Sequence, residues 1–175
     1  MDLTSDNYGI ENLDNIVFVD IDGVFTHNNT KCTYEFLEEP IDTLNILYDE
    51  FKINLVLSSS WKYSYSFAFM QKLFKDNGIK APLIDKTFTV VSAEDKKKSF
   101  LLSDIDEENY LKRDYEIYKW LQIFKPTHFL ILDDFKMTEF GLREHQCLTY
   151  FWHNNPNKLA LTKNNLDECR KILKM

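Results

Sequence analysis

Two apolar runs, 16-IVFV-19 and 129-FLIL-132, each end in a pair of carboxylates: Asp20 and Asp22 after the first, Asp133 and Asp134 after the second. Short runs of β-branched and large aliphatic residues read as buried strands. A carboxylate at the end of a buried strand is costly unless something offsets its charge. The feature therefore constrains topology and chemistry together. Taken alone, 20-DIDGV-24 also suits an ordinary turn, because Asp-Gly is a common turn dipeptide. The rest of the chain separates the two readings.

Pro40 stands in the first turn of a helix, and Ile41, Leu44, Leu47, Tyr48 and Phe51 follow at helical spacing. The run 53-INLVLSSSW-61 is another buried strand, ending in three serines. Tyr63, Phe67, Met70 and Phe74 form the stripe of a second helix, which closes near Asn77-Gly78. A strand is expected at 88–91, followed by a charged loop or insertion. Leu111, Tyr115, Tyr118 and Leu121 mark a helix that stops before Pro126. A further strand is expected at 147–152. Leu166, Cys169 and Leu173 line a closing helix capped by Thr162 or Asn164. Alternating strands and helices predict an α/β fold with a mostly parallel central sheet flanked by helices. In such sheets ligands bind at the carboxyl ends of the strands. That edge would gather Asp20, Asp22, Asp133 and Asp134, whose mutual repulsion a hard divalent cation such as Mg²⁺ would relieve. The serines and the cationic pair 112-KR-113 would face a phosphate there.

The 175 residues favour one domain over 15–175, after a loose leader over 1–14 and with 84–110 as a flap or insertion. The net charge of −7 gives no global nucleic-acid-binding footprint. Three scattered cysteines without a CxxC argue for a reducing compartment. No apolar run reaches the length of a membrane span, and the polar beginning of the chain is not a signal peptide. A cytoplasmic protein is expected, with secretion by another route left open. There is no GxxxxGK[ST] and no calcium-binding loop, and His27, His128, His145 and His153 match no zinc spacing.

Four motifs in order, 20-DIDGV-24, 55-LVLSSSW-61, 113-RDYEIYKWL-121 and 130-LILDDF-135, resemble those of the haloacid dehalogenase (HAD) superfamily of phosphohydrolases. The combination SSSWK, R-x-x-E-I-x-x-W-L and LDDF is similar to small HAD-like domains found alone or beside RNA-repair enzymes. The resemblance covers about residues 15–170. It implies a Rossmann-like HAD fold without a full cap domain. It also implies a Mg²⁺-dependent phosphatase that forms an aspartyl-phosphate. Asp20 would be the nucleophile, and Asp22 the general acid and base. Asp20, Asp22 (through its backbone carbonyl), Asp133 and Asp134 would hold the metal. Ser59 and Ser60 would bind the phosphoryl group, with Ser58 the competing motif residue. Arg113 would orient nucleophile and phosphate, with Lys112 its competitor. An open site suits a bulky substrate, a phosphoprotein or a nucleic-acid end, with the net charge of −7 slightly favouring the phosphoprotein and the resemblance pulling toward RNA ends. The alternatives are a small-metabolite phosphatase and a non-catalytic binding module. His27 and Lys96-Lys97-Lys98 are candidate substrate contacts. Trp61 is read as packing.

Overall fold

A computed structural model of the chain describes residues 13–26, 34–88, 108–150 and 160–175, with the side chains of 108–112 set apart. These form a five-stranded, all-parallel sheet. The strands are β1 (Asn15–Val19), β2 (Asn54–Leu57), β3 (Leu83–Lys86), β4 (His128–Asp133) and β5 (Gln146–Leu148). Their spatial order is β3-β2-β1-β4-β5. The helices are α1 (Glu38–Phe51), α2 (Phe67–Asp76), α3 (Glu108–Phe124) and α4 (Leu166–Ile172).

The sheet grows outward from β1 twice, first through β2 and β3, then through β4 and β5. Right-handed crossovers place the connecting helices on one face for the first direction and on the opposite face for the return. The core follows this rule. Val17, Val19, Leu55, Leu57, Leu130 and Leu132 pack with residues of α1, α2 and α4. Ile16, Phe18, Val56 and Ile131 pack with Ile117, Trp120 and Phe124 of α3. All these strand residues are fully buried, as continuous apolar runs covered on both faces require.

Local chemistry sets the helix limits. Glu38 and Glu39 sit in the first turn of α1, where their charge suits the helix dipole. The Ser66 hydroxyl caps α2 by accepting from Phe69 N–H at 3.2 Å. Gly78 follows α2 with φ of +82°, the left-handed conformation expected at Asn77-Gly78. The Thr162 N–H donates to the Asn165 side chain at 2.9 Å, opening the turn that leads into α4.

Three expectations are corrected. The third strand lies at Leu83–Lys86 rather than at 88–91. Its pairing with β2 begins right after Pro82 and ends where Thr87 N–H meets Leu57 O at 2.9 Å. Residues 89–91 lie outside the described residues. Tyr63 belongs not to α2 but to a separate 3-10 turn, Ser60–Tyr63, because Ser66 starts α2 anew. The last strand is Gln146–Leu148, shorter than 147–152, and 151–159 lie outside the described residues. Among the described residues no helix is long and apolar enough to cross a membrane.

Candidate active site

Strand register and side-chain alternation assemble the site. Val19 pairs with Leu57 on one side and with Leu132 on the other. One residue further, Asp20 N–H donates to Leu132 O at 3.0 Å and Ser58 N–H donates to Val19 O at 2.8 Å. Ser58, Asp20 and Asp133 thus stand in one row across the strand ends. Alternation turns all three toward the face that α3 covers, as it does Phe18, Val56 and Ile131. The row lies where the strand order reverses, between β1 and β4, the crevice in which open α/β sheets bind ligands.

Arg113 reaches this row from α3. Its Nη1 donates to Asp20 Oδ2 at 2.7 Å and to both oxygens of Asp133 at 2.9 Å. The remaining Asp20 oxygen accepts from Ile21 N–H at 2.7 Å, and Asp133 Oδ1 also accepts from Phe135 N–H at 2.9 Å. Asp20 and Asp133 are almost wholly buried. Burial pushes the Asp133 carboxyl up to about 8 against the pull of Arg113, with Asp20 adding to the rise. Burial pushes Asp134 up to about 7, again with help from Asp20.

Oxygens of Asp20, Asp133 and Asp134 lie within 4.8 Å of one another, and all three residues belong to the four-acid set. Three hard oxygen donors fit Mg²⁺, which takes few carboxylates directly and keeps several waters. Gly23 makes this grouping possible. Its φ is +74°, and a Cβ there would lie 2.7 Å from atoms of the Asp134 side chain. The Asp22 side chain points elsewhere. Its Oδ1 accepts from Thr26 Oγ1 at 3.0 Å and its Oδ2 from Trp61 Nε1 at 2.9 Å.

The three serines are sorted by their surroundings. Ser60 is exposed. The Ser59 Oγ accepts from Trp61 N–H at 3.4 Å and caps the 3-10 turn. The Ser58 Oγ is buried and meets no hydrogen-bond partner among the described residues. Such an orphan calls for an explanation, and a bound oxyanion would provide one. His27 and Lys96-Lys97-Lys98 lie outside the described residues, as does the side chain of Lys112.

Sequence reasoning assigned no role to a buried network beside the row. Lys62 Nζ donates to Glu116 Oε2 at 2.5 Å and to Thr87 Oγ1 at 2.6 Å. Tyr63 Oη donates to the other Glu116 oxygen at 2.8 Å. Desolvation holds the Lys62 ammonium below its usual range. The signal lay in the chain: Glu116 is three residues after Arg113, on the same helix face. Asp114 adds a third latch, accepting from Thr138 and Glu139 N–H at 2.9 Å each.

Residues 16–158 match the family model described as the HAD domain in Swiss Army Knife RNA repair proteins. No curated protein and no solved structure matches the chain.

Proposed function

The chain belongs to the family of HAD domains in Swiss Army Knife RNA repair proteins, and on that premise we propose that it is a Mg²⁺-dependent phosphomonoesterase working through Asp20. The family supports a HAD-type phosphohydrolase in general. The finer reading rests above all on one observation: a single arginine nitrogen bridges Asp20 and Asp133 at the switch point of the sheet.

In the first half-reaction an Asp20 carboxylate oxygen attacks phosphorus, and the bond from phosphorus to the leaving oxygen breaks. Asp22 gives its proton to that oxygen. The product is an aspartyl-phosphate on Asp20 and a free alcohol. In the second, Asp22 takes a proton from water, the water oxygen attacks phosphorus, and the bond from Asp20 to phosphorus breaks. Inorganic phosphate leaves, and both carboxyl groups regain their starting states. Asp22 accepts one hydrogen bond on each oxygen, which leaves a second lone pair on each where a proton can sit. Arg113 orients Asp20 and faces the transferred group. The orphaned Ser58 hydroxyl joins Ser59 and Ser60 as a candidate phosphoryl contact, and its position beside Asp20 puts it first. Asp20, Asp133 and Asp134 would hold Mg²⁺, with the Asp22 backbone carbonyl as a further donor. When bound, the ion supplies charge neutralisation between carboxylate and phosphoryl oxygens. Phosphoryl transfer asks chiefly for such positioning and charge balance.

The substrate proposed is a bulky phosphomonoester, and the family's occurrence in RNA repair proteins favours a nucleic-acid end over a phosphoprotein. The test is hydrolysis of an aryl phosphate with and without Mg²⁺. Wild type should turn over only with the metal, and Asp20→Asn should lose at least about a thousandfold in kcat while keeping its fold. Undiminished turnover by Asp20→Asn would rule out the mechanism.

A further inference from the structure

Beside the Asp22 side chain lies a cluster of aromatic rings. Trp61, whose indole N–H binds Asp22, starts a chain of rings. Tyr65 lies 5.4 Å from Trp61 between centroids, and Phe69 stacks on Tyr65 at 4.9 Å. Tyr34 meets Trp61, Tyr65 and Phe69 edge-on at 6.4, 6.1 and 5.7 Å. The Asn77 side chain fixes the Tyr34 segment, donating to Tyr34 O at 3.0 Å and accepting from Phe36 N–H at 2.8 Å. Yet Tyr34 is 44% exposed and Phe69 37% exposed. Single exposed aromatics are ordinary, whereas four rings linked by contacts beside Asp22 form an apolar patch.

Their place in the reaction gives the patch a use. The leaving oxygen must reach Asp22 for its proton, so the departing part of the substrate lies on the Asp22 side, against these rings. We infer that Tyr34, Trp61, Tyr65 and Phe69 form a stacking subsite for a nucleobase carried by the leaving group. This rests on the reading of Asp22 as the acid. The most exposed rings stand beyond Trp61, with Phe69 two ring spacings out, of 5.4 and 4.9 Å. A ring bonded directly to the phosphate oxygen, as in phosphotyrosine, is tied within one bond of that oxygen and has a short reach along the chain of rings. A ring carried on a sugar reaches further. The Tyr34 and Tyr65 hydroxyls, 3.3 Å apart, give that outer end polar atoms that ring nitrogens and carbonyls match. Stacking accepts any base, because every base offers a π-face.

The test compares kcat/KM for a ribonucleoside monophosphate with that for glycerol phosphate, which lacks a base. The ratio in wild type should be on the order of tenfold or more. Tyr34→Ala and Phe69→Ala, both at exposed positions, should each lower the ratio about fivefold or more, through KM. A wild-type ratio near one, or a ratio unchanged in both variants, overturns the subsite. A phosphotyrosine peptide preferred over the nucleotide, with that preference lost in the variants, would make the occupant a tyrosyl ring and overturn the nucleobase. Should wild type hydrolyse none of these with Mg²⁺, the phosphatase reading fails by itself. Tryptophan fluorescence then decides the subsite: nucleoside monophosphate should quench wild type and bind the two variants more weakly. Equal binding by all three, or none, overturns it.

Discussion

Gly23 is where the first acidic loop meets the last. Its positive φ, and the 2.7 Å at which an added Cβ would meet Asp134, leave no room for a side chain. Gly23→Ala should strain the backbone by about 1–3 kcal/mol and push Asp134 away from Asp20. The expected outcome is weaker Mg²⁺ binding by calorimetry, with lower activity that excess Mg²⁺ partly restores. Unchanged Mg²⁺ affinity would count against Asp134 as a ligand. The raised Asp133 and Asp134 carboxyls carry a pH signature. The folded chain keeps protons there that the unfolded chain releases near pH 4. Their contribution to stability is present below that pH and is lost as pH rises through about 7 and about 8. Melting curves of the chelated protein should therefore fall over this window. Saturating Mg²⁺ should raise the midpoint more at about pH 8 than at about pH 5. A shift independent of pH would argue that no ion binds these carboxyls. At this scale the acids were legible from their positions after apolar runs. Choosing among Ser58, Ser59 and Ser60 was not, because only the backbone path shows that Ser59 turns to cap and that Ser58 meets no hydrogen-bond partner among the described residues.

One turn of α3 holds three neighbouring elements. Arg113 grips the row of acids, Asp114 the segment after β4, and Glu116 the loop after β2 through Lys62. A buried ion pair adds little to stability compared with apolar residues of similar size, so the Lys62–Glu116 pair is better understood as a register pin for α3. Lys62→Met alone leaves a buried charge on Glu116 and should cost about 3–5 kcal/mol in denaturant unfolding. Lys62→Met with Glu116→Leu should recover most of that stability while kcat stays depressed, since Arg113 loses its lateral support. Full recovery of kcat would reduce the pair to a packing feature. Elements with strong periodicity, such as α1 and β1, were legible. β3 was not: its four residues, 83-LIDK-86, have one buried position and no alternation, and pairing with β2 rather than local preference makes them a strand. The split between the 3-10 turn and α2 was hidden because both fall on one apolar stripe and only the Ser66 cap separates them.

For the whole molecule, the order of elements along the chain told the fold class but not the strand order. That order decides which helix covers the acids. With β1 central, every crossover on the β2 side takes one face, and α3 is left to the other. The residue that bridges the two acids therefore comes from 93 positions away from Asp20, a distance that no local pattern spans. This arrangement has a consequence for how the protein comes into being. The carboxylates meet a guanidinium that belongs to the chain itself, so the fold is expected to form without divalent ions. A cooperative thermal transition by circular dichroism should persist in excess chelator, and a non-cooperative one would show that the ion is a folding partner. Arg113 holds the acids together, and on the proposed reading an ion and a phosphate would exchange with it as partners within a site already built.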